Sequence, residues 1–250
     1  MNAEAPQRDA PADEAILWHD VECGAYTADL PLWRELAGQS AGAVLDVGAG
    51  TGRVTLDLAA RGHEVTALDL DPVLLAELGR RARGLPVRTV VADARDFAIG
   101  TRFALILVPM QTVQLLADAE ERRALLRCVR QHLAPAGRIA LAITETLETY
   151  DTEDGLISPL PDMLERDGVV YSSIPTAIRE RPDSFLLERR RERITASGVR
   201  TVACDQVRIA RLTAAQLEAE AAEAFLGRLE RRKIDATSDH VGSTVVMLGE

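Results

Sequence analysis

Three glycines at alternate positions, Gly48, Gly50 and Gly52, follow the apolar run Ala43-Val44-Leu45 and a carboxylate, Asp46. Glycines at this spacing let the backbone turn sharply and approach a ligand without side-chain obstruction. The loop opens onto a helix whose N-terminus favours a negatively charged or electron-rich group. A dinucleotide-binding loop reads GxGxxG, with its third glycine three positions after the second, and here Arg53 stands in that place. Asp46, near the carboxyl end of a buried strand, is costly unless it has partners or meets a cation, and a pyrophosphate does not belong beside it. Two further carboxylates end apolar runs. Asp69 follows Val65 to Leu68, where it can accept both hydroxyls of a ribose; the competing reading, a helix N-cap beside Pro72, suits Asp71 better. Asp93 follows Val90-Val91-Ala92 and is either a ligand contact or a loop cap.

The segment VLDVGAGTGRV resembles motif I of the class I S-adenosylmethionine-dependent methyltransferases: an apolar pair, an acidic residue, an apolar residue and GxGxG. The resemblance continues in order through His63 to Asp71 (HEVTALDLD), Val90 to Phe97 (VVADARDF), Phe103 to Leu116 (FALILVPMQTVQLL) and Leu133 to Ile143 (LAPAGRIALAI). It implies S-adenosyl-L-methionine as cofactor. Gly48, Ala49, Gly50 and Gly52 then form the loop against its methionine part, with Asp46 helping to hold the ammonium. Arg53 and Tyr26 reach the methionine carboxylate, Asp69 takes the ribose, and Leu70 packs on adenine or ribose. Asp93 and the backbone N–H of Ala94 meet the adenine, and Val108 packs near the methionine end. The chemistry so implied is an in-line displacement at a methyl group activated as a sulfonium, for which the protein must align the reactants and exclude water. An oxygen acceptor needs deprotonation, whereas an amine needs only to arrive neutral. Two other classes stay open: a non-catalytic S-adenosylmethionine-binding or regulatory protein, and an NAD-dependent oxidoreductase.

Ligands in open α/β sheets sit beyond the carboxyl ends of the strands, which restricts the search for a base. The fourth strand delivers Met110, Gln111, Thr112 and Gln114 to that rim, the fifth delivers Glu145, and the loop Asp235 to Gly242 brings Asp239 and His240. Among four histidines, His240 is the best-placed base candidate, balanced against an exposed loop histidine. Glu145 is the alternative base or substrate anchor. His19 lies in an N-terminal segment able to form a lid and ranks behind both, while His63 and His132 read as structural. No cluster at metal-ligand spacing is present, so no metal site is expected.

The elements that must position these residues alternate from Ala43 onward. Strands are expected at 43–47, 64–69, 87–92, 103–108 and 137–144, and helices at 52–61, 72–82 and 118–133. That order predicts an α/β sheet, mostly parallel, with helices on both faces, and the resemblance implies that it is Rossmann-like and seven-stranded with an antiparallel last strand. The region 145–182 has no sustained periodicity. Ser184 to Thr195 and Val199 to Leu212 then read as an antiparallel hairpin around Ala196-Ser197-Gly198, and Thr213 begins a helix. Strands near Arg228 to Ile234 and from Ser243 to Leu248 complete the chain. Three parts follow: an N-terminal helical or lid segment (1–40, its first dozen residues disordered), a cofactor-binding core (41–144 and 212–250), and a β-rich insertion (145–211), which the resemblance implies faces the substrate.

A chain of 250 residues with 47% hydrophobic content can bury one sizeable core. Its net charge of −10 argues against a non-specific nucleic-acid binder, and the run Arg189, Arg190, Arg191, Arg193 reads as a solvated, Glu-paired face. Val108 to Thr112 (VPMQT) departs from the Asn/Asp-Pro-Pro-Tyr motif of the amino-methylating nucleic-acid enzymes, so a small-molecule acceptor is expected. Three scattered cysteines suggest free thiols. No apolar run is long enough to span a bilayer and the N-terminus lacks a basic leader, so a cytoplasmic monomer or homodimer without a membrane partner is expected.

Overall fold

The computed structural model describes residues 12–155, 159–238 and 240–250; the disorder expected of the first dozen residues falls almost wholly outside the described residues. The helices are α1 (Ala12–Cys23), α2 (Leu30–Gly38), α3 (Arg53–Ala59), α4 (Pro72–Arg81), α5 (Ala119–Gln131) and α6 (Ala214–Glu223). The strands of the first half are β1 (Val44–Val47), β2 (Val65–Asp69), β3 (Val87–Val91), β4 (Phe103–Val108) and β5 (Leu133–Ile143). Those of the second are β6 (Tyr150–Asp151), β7 (Asp162–Arg166), β8 (Val169–Glu180), β9 (Ser184–Ile194), β10 (Arg200–Ala210), β11 (Gly227–Arg228), β12 (Arg232–Ile234) and β13 (Ser243–Gly249).

Strands β1 to β5 are parallel, in the order β5-β4-β1-β2-β3, and β13 joins β5 antiparallel. Where seven strands were expected, the described sheet has eight, because the sixth is interrupted. Residues 229–231 leave the ladder, so β11 and β12 pair separately with β13. Val44, Leu45 and Val47 are buried, as a parallel strand covered on both faces requires. Their alternation divides two cores. Val44, Leu105 and Leu107 pack with Trp33 and Leu36 of α2 and Val54 and Leu58 of α3, whereas Leu45, Val47 and Ile106 pack with Leu125 and Val129 of α5 and Leu217 of α6.

Side chains near the helix starts explain where the helices begin. Asp71 accepts the Val73 N–H at 2.8 Å ahead of α4, Asp118 accepts those of Glu120 and Glu121 ahead of α5, and Thr213 with Gln216 forms a complete capping box on α6. Strand β5 begins earlier than the expected residue 137, at Leu133. A bulge between Phe103 and Leu105 of β4 lets residues 134–137 loop out, with Ala136 at φ 57°, while the ladder continues.

The segment 145–182, which shows no periodicity in sequence, contributes three strands to a second, antiparallel sheet of five, in the order β10-β9-β8-β6 with β7 beside β8. A bulge at Pro175 and Ala177 reverses the in-and-out alternation of β8 halfway along, which masks its period of two. The expected hairpin is present as β9 and β10, in register from Ile194 opposite Arg200 to Ser184 opposite Ala210. Helix α1 lies between the sheets, packed on α4 of the first and on β7 and β8 of the second. Among the described residues no helix is long and apolar enough to cross a membrane, and all three cysteines are free.

Candidate active site

Strand order reverses at β1, which lies between β2 and β4, and the crevice beyond its carboxyl end is where this topology binds ligands. The glycine loop fills the turn from β1 to α3. Gly48 and Ala49 both donate to the Leu68 carbonyl, at 2.8 and 3.1 Å, and Gly52 donates to Ala49. Gly50 donates to Asp69 at 2.8 Å. The N–H groups of Gly48, Ala49, Gly50 and Gly52 are thus spent within the protein. No side chain caps α3, so the free donors at this turn are those of the helix's own first turn.

Gly50 sits at φ 53°, and a Cβ there would stand 2.1 Å from Nε2 of His19. Gly52, at φ 99°, has a different reason to be glycine: a Cβ would run into Leu78 of α4 and Leu56 of α3. It serves close packing, and it does not line the cavity, contrary to its expected place among the ligand contacts.

A small, partly open cavity of about 40 Å³ is bounded by His19, Cys23, Asp46, Gly48, Ala49, Arg53, Val54, Pro109, Met110 and Thr112. Asp46 is fully buried: Oδ2 accepts the Thr55 hydroxyl at 2.6 Å, and Oδ1 has no partner among the described residues. Desolvation pushes its carboxyl up to about 6, the Thr55 hydrogen bond and the Arg53 charge acting against that rise. The Thr55 contact comes from the side of the sheet to which Asp46 points, the face covered by α3.

His19 enters from α1. The single hydroxyl proton of Thr51 goes to Asp20 at 2.8 Å, so the 3.2 Å contact from Thr51 to His19 Nδ1 places the imidazole hydrogen on Nδ1 and leaves Nε2 an acceptor facing Gly50. Burial lowers the His19 pKa below its ordinary value despite the pull of Asp20 and Asp69, which keeps the ring neutral. Two acceptors, Asp46 Oδ1 and His19 Nε2, therefore serve this end of the crevice, and a group rich in N–H donors such as an ammonium matches them.

Arg53 forks onto Asp29 at 2.5 and 2.7 Å and donates to the Tyr26 carbonyl at 2.8 Å. Its guanidinium lies 5.0 Å over the Tyr26 ring, and the His240 ring meets the same ring tilted at 40°, centroids 4.8 Å apart. His240 therefore reaches the rim beside Tyr26; Asp239 lies outside the described residues. Asp69, whose other oxygen accepts the Asp71 N–H at 2.9 Å, stands at the open side of the crevice beside exposed Leu70. Asp93 follows β3 on the neighbouring strand, held by the backbone and guanidinium of Arg95. That ion pair is the first cause of its lowered carboxyl pKa. Ala94 is half-buried between them.

Three residues expected at or near the rim have protein partners or lie deeper. Glu145 accepts the Ala214 N–H at 2.5 Å and the Thr244 hydroxyl at 3.3 Å, holding the start of α6 against β13. Val108 is fully buried in the apolar cluster behind the loop and does not line the cavity; the next residues, Pro109, Met110 and Thr112, do. Gln114 is also buried, its amide bonded to Thr144 and Ala210. Cys23 is a cavity residue that the sequence reading missed, and His19 one it ranked too low. Their spacing of four puts both on one face of α1, the signal that was available. No metal-binding cluster is found among the described residues.

Residues 44–137 match the methyltransferase domain family. The cypemycin N-terminal methyltransferase of a Streptomyces species is 34% identical over 105 residues, covering 42% of this chain and 43% of that protein. The dTDP-3-amino-3,4,6-trideoxy-alpha-D-glucopyranose N,N-dimethyltransferase of Streptomyces venezuelae is 28% identical over 141 residues, 56% of each chain. The chain thus spans about half the length of the curated relatives it matches. The solved sugar N-methyltransferase KedS8 of a Streptoalloteichus species shares the fold over 98% of this chain and 97% of its own, with a TM-score of 0.72 at 19% identity.

Proposed function

We propose that the chain is a class I S-adenosylmethionine-dependent methyltransferase that methylates an amine nitrogen of a small molecule, with S-adenosyl-L-methionine as donor. The observation that carries the reading is the bare Oδ1 of Asp46 inside a cavity walled by the glycine loop. A buried carboxylate oxygen without a partner is costly, and the donor's ammonium is the group that offsets it. His19 Nε2 is the second acceptor for the same ammonium. Gly48 and Ala49 lie along the methionine chain, and Arg53, oriented by Asp29 and Tyr26, faces its carboxylate.

Asp69 takes the ribose hydroxyls and Leu70 the adenine face. Asp93 and the Ala94 backbone bound the adenine edge. The bound donor supplies a methyl group already activated for displacement, so what is asked of the chain is alignment and dryness. Amine nitrogen is favoured over oxygen on two grounds. One matched relative is named an N,N-dimethyltransferase of an amino sugar nucleotide, and Glu145, the carboxylate expected to deprotonate an alcohol, holds the start of α6.

Calorimetric titration with S-adenosylmethionine tests the donor half. Asp69→Ala is expected to weaken binding about tenfold or more, since hydrogen bonds to a charged group contribute roughly 1.5–3 kcal/mol; unchanged affinity in a variant with unchanged thermal unfolding removes Asp69 from the site. Transfer of labelled methyl to a panel of paired amines and alcohols tests the acceptor half, and labelling of the alcohols alone refutes the nitrogen assignment.

A further inference from the structure

The second sheet packs β7 and β8 against α1, whose His19 and Cys23 line the cavity, and that sheet carries an incompletely used ion pair. On β9, Arg189 and Arg191 point the same way, whereas Arg190 points outward to Glu192, so the arginine run is not a uniformly solvated face. Arg191 is fully occupied. It forks onto Glu22 of α1 at 2.7 and 2.8 Å and reaches Asp205 at 3.1 Å. Arg189 is different. Its side chain is only 16% exposed, yet its one hydrogen bond runs from Nη1 to Asp162 Oδ2 at 3.2 Å. A guanidinium has five donors in a fixed fork, so four of them have no protein partner among the described residues. Asp162 Oδ1 takes no hydrogen bond from the described residues either.

This pair stands at the junction with the cavity. Cys23 lines the cavity and closes α1, and its thiol lies within the fields of Arg53, Arg189, Asp162 and Glu22. His240 acts on Asp162 from the rim loop, and Tyr150 of β6 lies in the field of Arg189. The other carboxylates on this face are spent: Glu22 on Arg191 and Ser173, Asp205 on Arg191. Burial raises the Asp162 carboxyl above its ordinary value even with Arg189 beside it, so a further donor to Asp162 is favourable.

We propose that Asp162 and Arg189 form the subsite for the methyl acceptor, and that it takes an amine with a hydroxyl on the neighbouring carbon. Asp162 Oδ1 accepts an amine N–H, and the free fork of Arg189 donates to the hydroxyl oxygen. A free acceptor and free donors on two groups already in contact match the short span between nitrogen and oxygen on adjacent carbons. Recognition by both groups selects the amino alcohol over either function alone. The inference rests on the methyltransferase reading, because only that reading makes the neighbouring cavity a donor site.

The test is an NMR titration of the full chain, saturated with S-adenosylhomocysteine, with trans-2-aminocyclohexanol, cyclohexylamine and cyclohexanol. The unaltered chain is expected to bind the amino alcohol most tightly. Asp162→Asn should abolish its preference over cyclohexanol and Arg189→Gln its preference over cyclohexylamine, each weakening the amino alcohol about tenfold without changing S-adenosylhomocysteine affinity. Arg189→Lys, which keeps the charge and loses the fork, should lie between. If the chain binds S-adenosylhomocysteine but shows no preference for the amino alcohol, or if both variants keep that preference, the subsite is wrong and the donor site stands. If the unaltered chain fails to bind S-adenosylhomocysteine, the methyltransferase reading falls, and the subsite with it.

Discussion

Asp46 is placed against its own ionisation: fully buried, with one oxygen satisfied by Thr55 and the other bare. Its carboxyl titrates near 3.8 when exposed and is pushed up to about 6 by burial. Between those values the folded chain holds a proton that the unfolded chain has released, so stability falls as pH rises through this window, by about 2–3 kcal/mol. Asp46→Asn is therefore expected to remove that fall and to leave the ligand-free protein more stable at pH 7 than the parent, while S-adenosylmethionine affinity drops. Urea unfolding at pH 4 and pH 7 reads the first part; an undiminished pH dependence in the variant assigns it to another group. The sequence made Asp46 legible because a carboxylate in an apolar strand is anomalous by itself. His19 was not legible in that way, since a histidine in a polar helix is ordinary until Gly50 and Thr51, more than thirty residues on, are seen beside it.

Between elements, the contact most exposed to mutation is the ion pair of Arg122 on α5 with Glu220 on α6, bidentate at 2.8 and 2.6 Å and about nine-tenths buried on both sides. Removing one partner strands a buried charge, and Glu220→Ala is expected to cost about 3–5 kcal/mol in chemical denaturation. Replacing both with Met should recover most of that loss; a double variant as weak as the single one would show that the helices depend on the charges themselves. Helix starts were readable because the cap lies next to what it caps: Asp71, Asp118 and Thr213 each serve donors within three residues. Strand β8 was not, because the bulge at Pro175 inverts its alternation. Glu145 illustrates the same limit from the other side. Its position at the end of β5 was foreseen, but its partners on α6 and β13 lie 69 and 99 residues away, and they decide what it does.

At the scale of the molecule, α1 ties the two sheets together through neighbouring residues. Asp20 holds Arg81 of α4 and Thr51 of the glycine loop, and Glu22 holds Arg191 and Ser173 of the second sheet. Trp18 meets Tyr171 edge-on at 5.7 Å. A helix gripped on two sides shows no single apolar stripe, which is why its role was not readable from periodicity. Asp20→Asn combined with Glu22→Gln is expected to speed amide hydrogen exchange across α1 and residues 48–52 while leaving β4 and β5 protected. Equal acceleration in the central strands would mean that α1 supports the whole fold and not its opening. The same two residues also set an order in time. During synthesis α1 is made before the second sheet, and Glu22 must wait 169 residues for Arg191, roughly 10–30 s at ordinary elongation rates. Helix α6 and strand β13, which complete the first sheet and its core, lie further along the chain still, so core and crevice cover close together, late in translation.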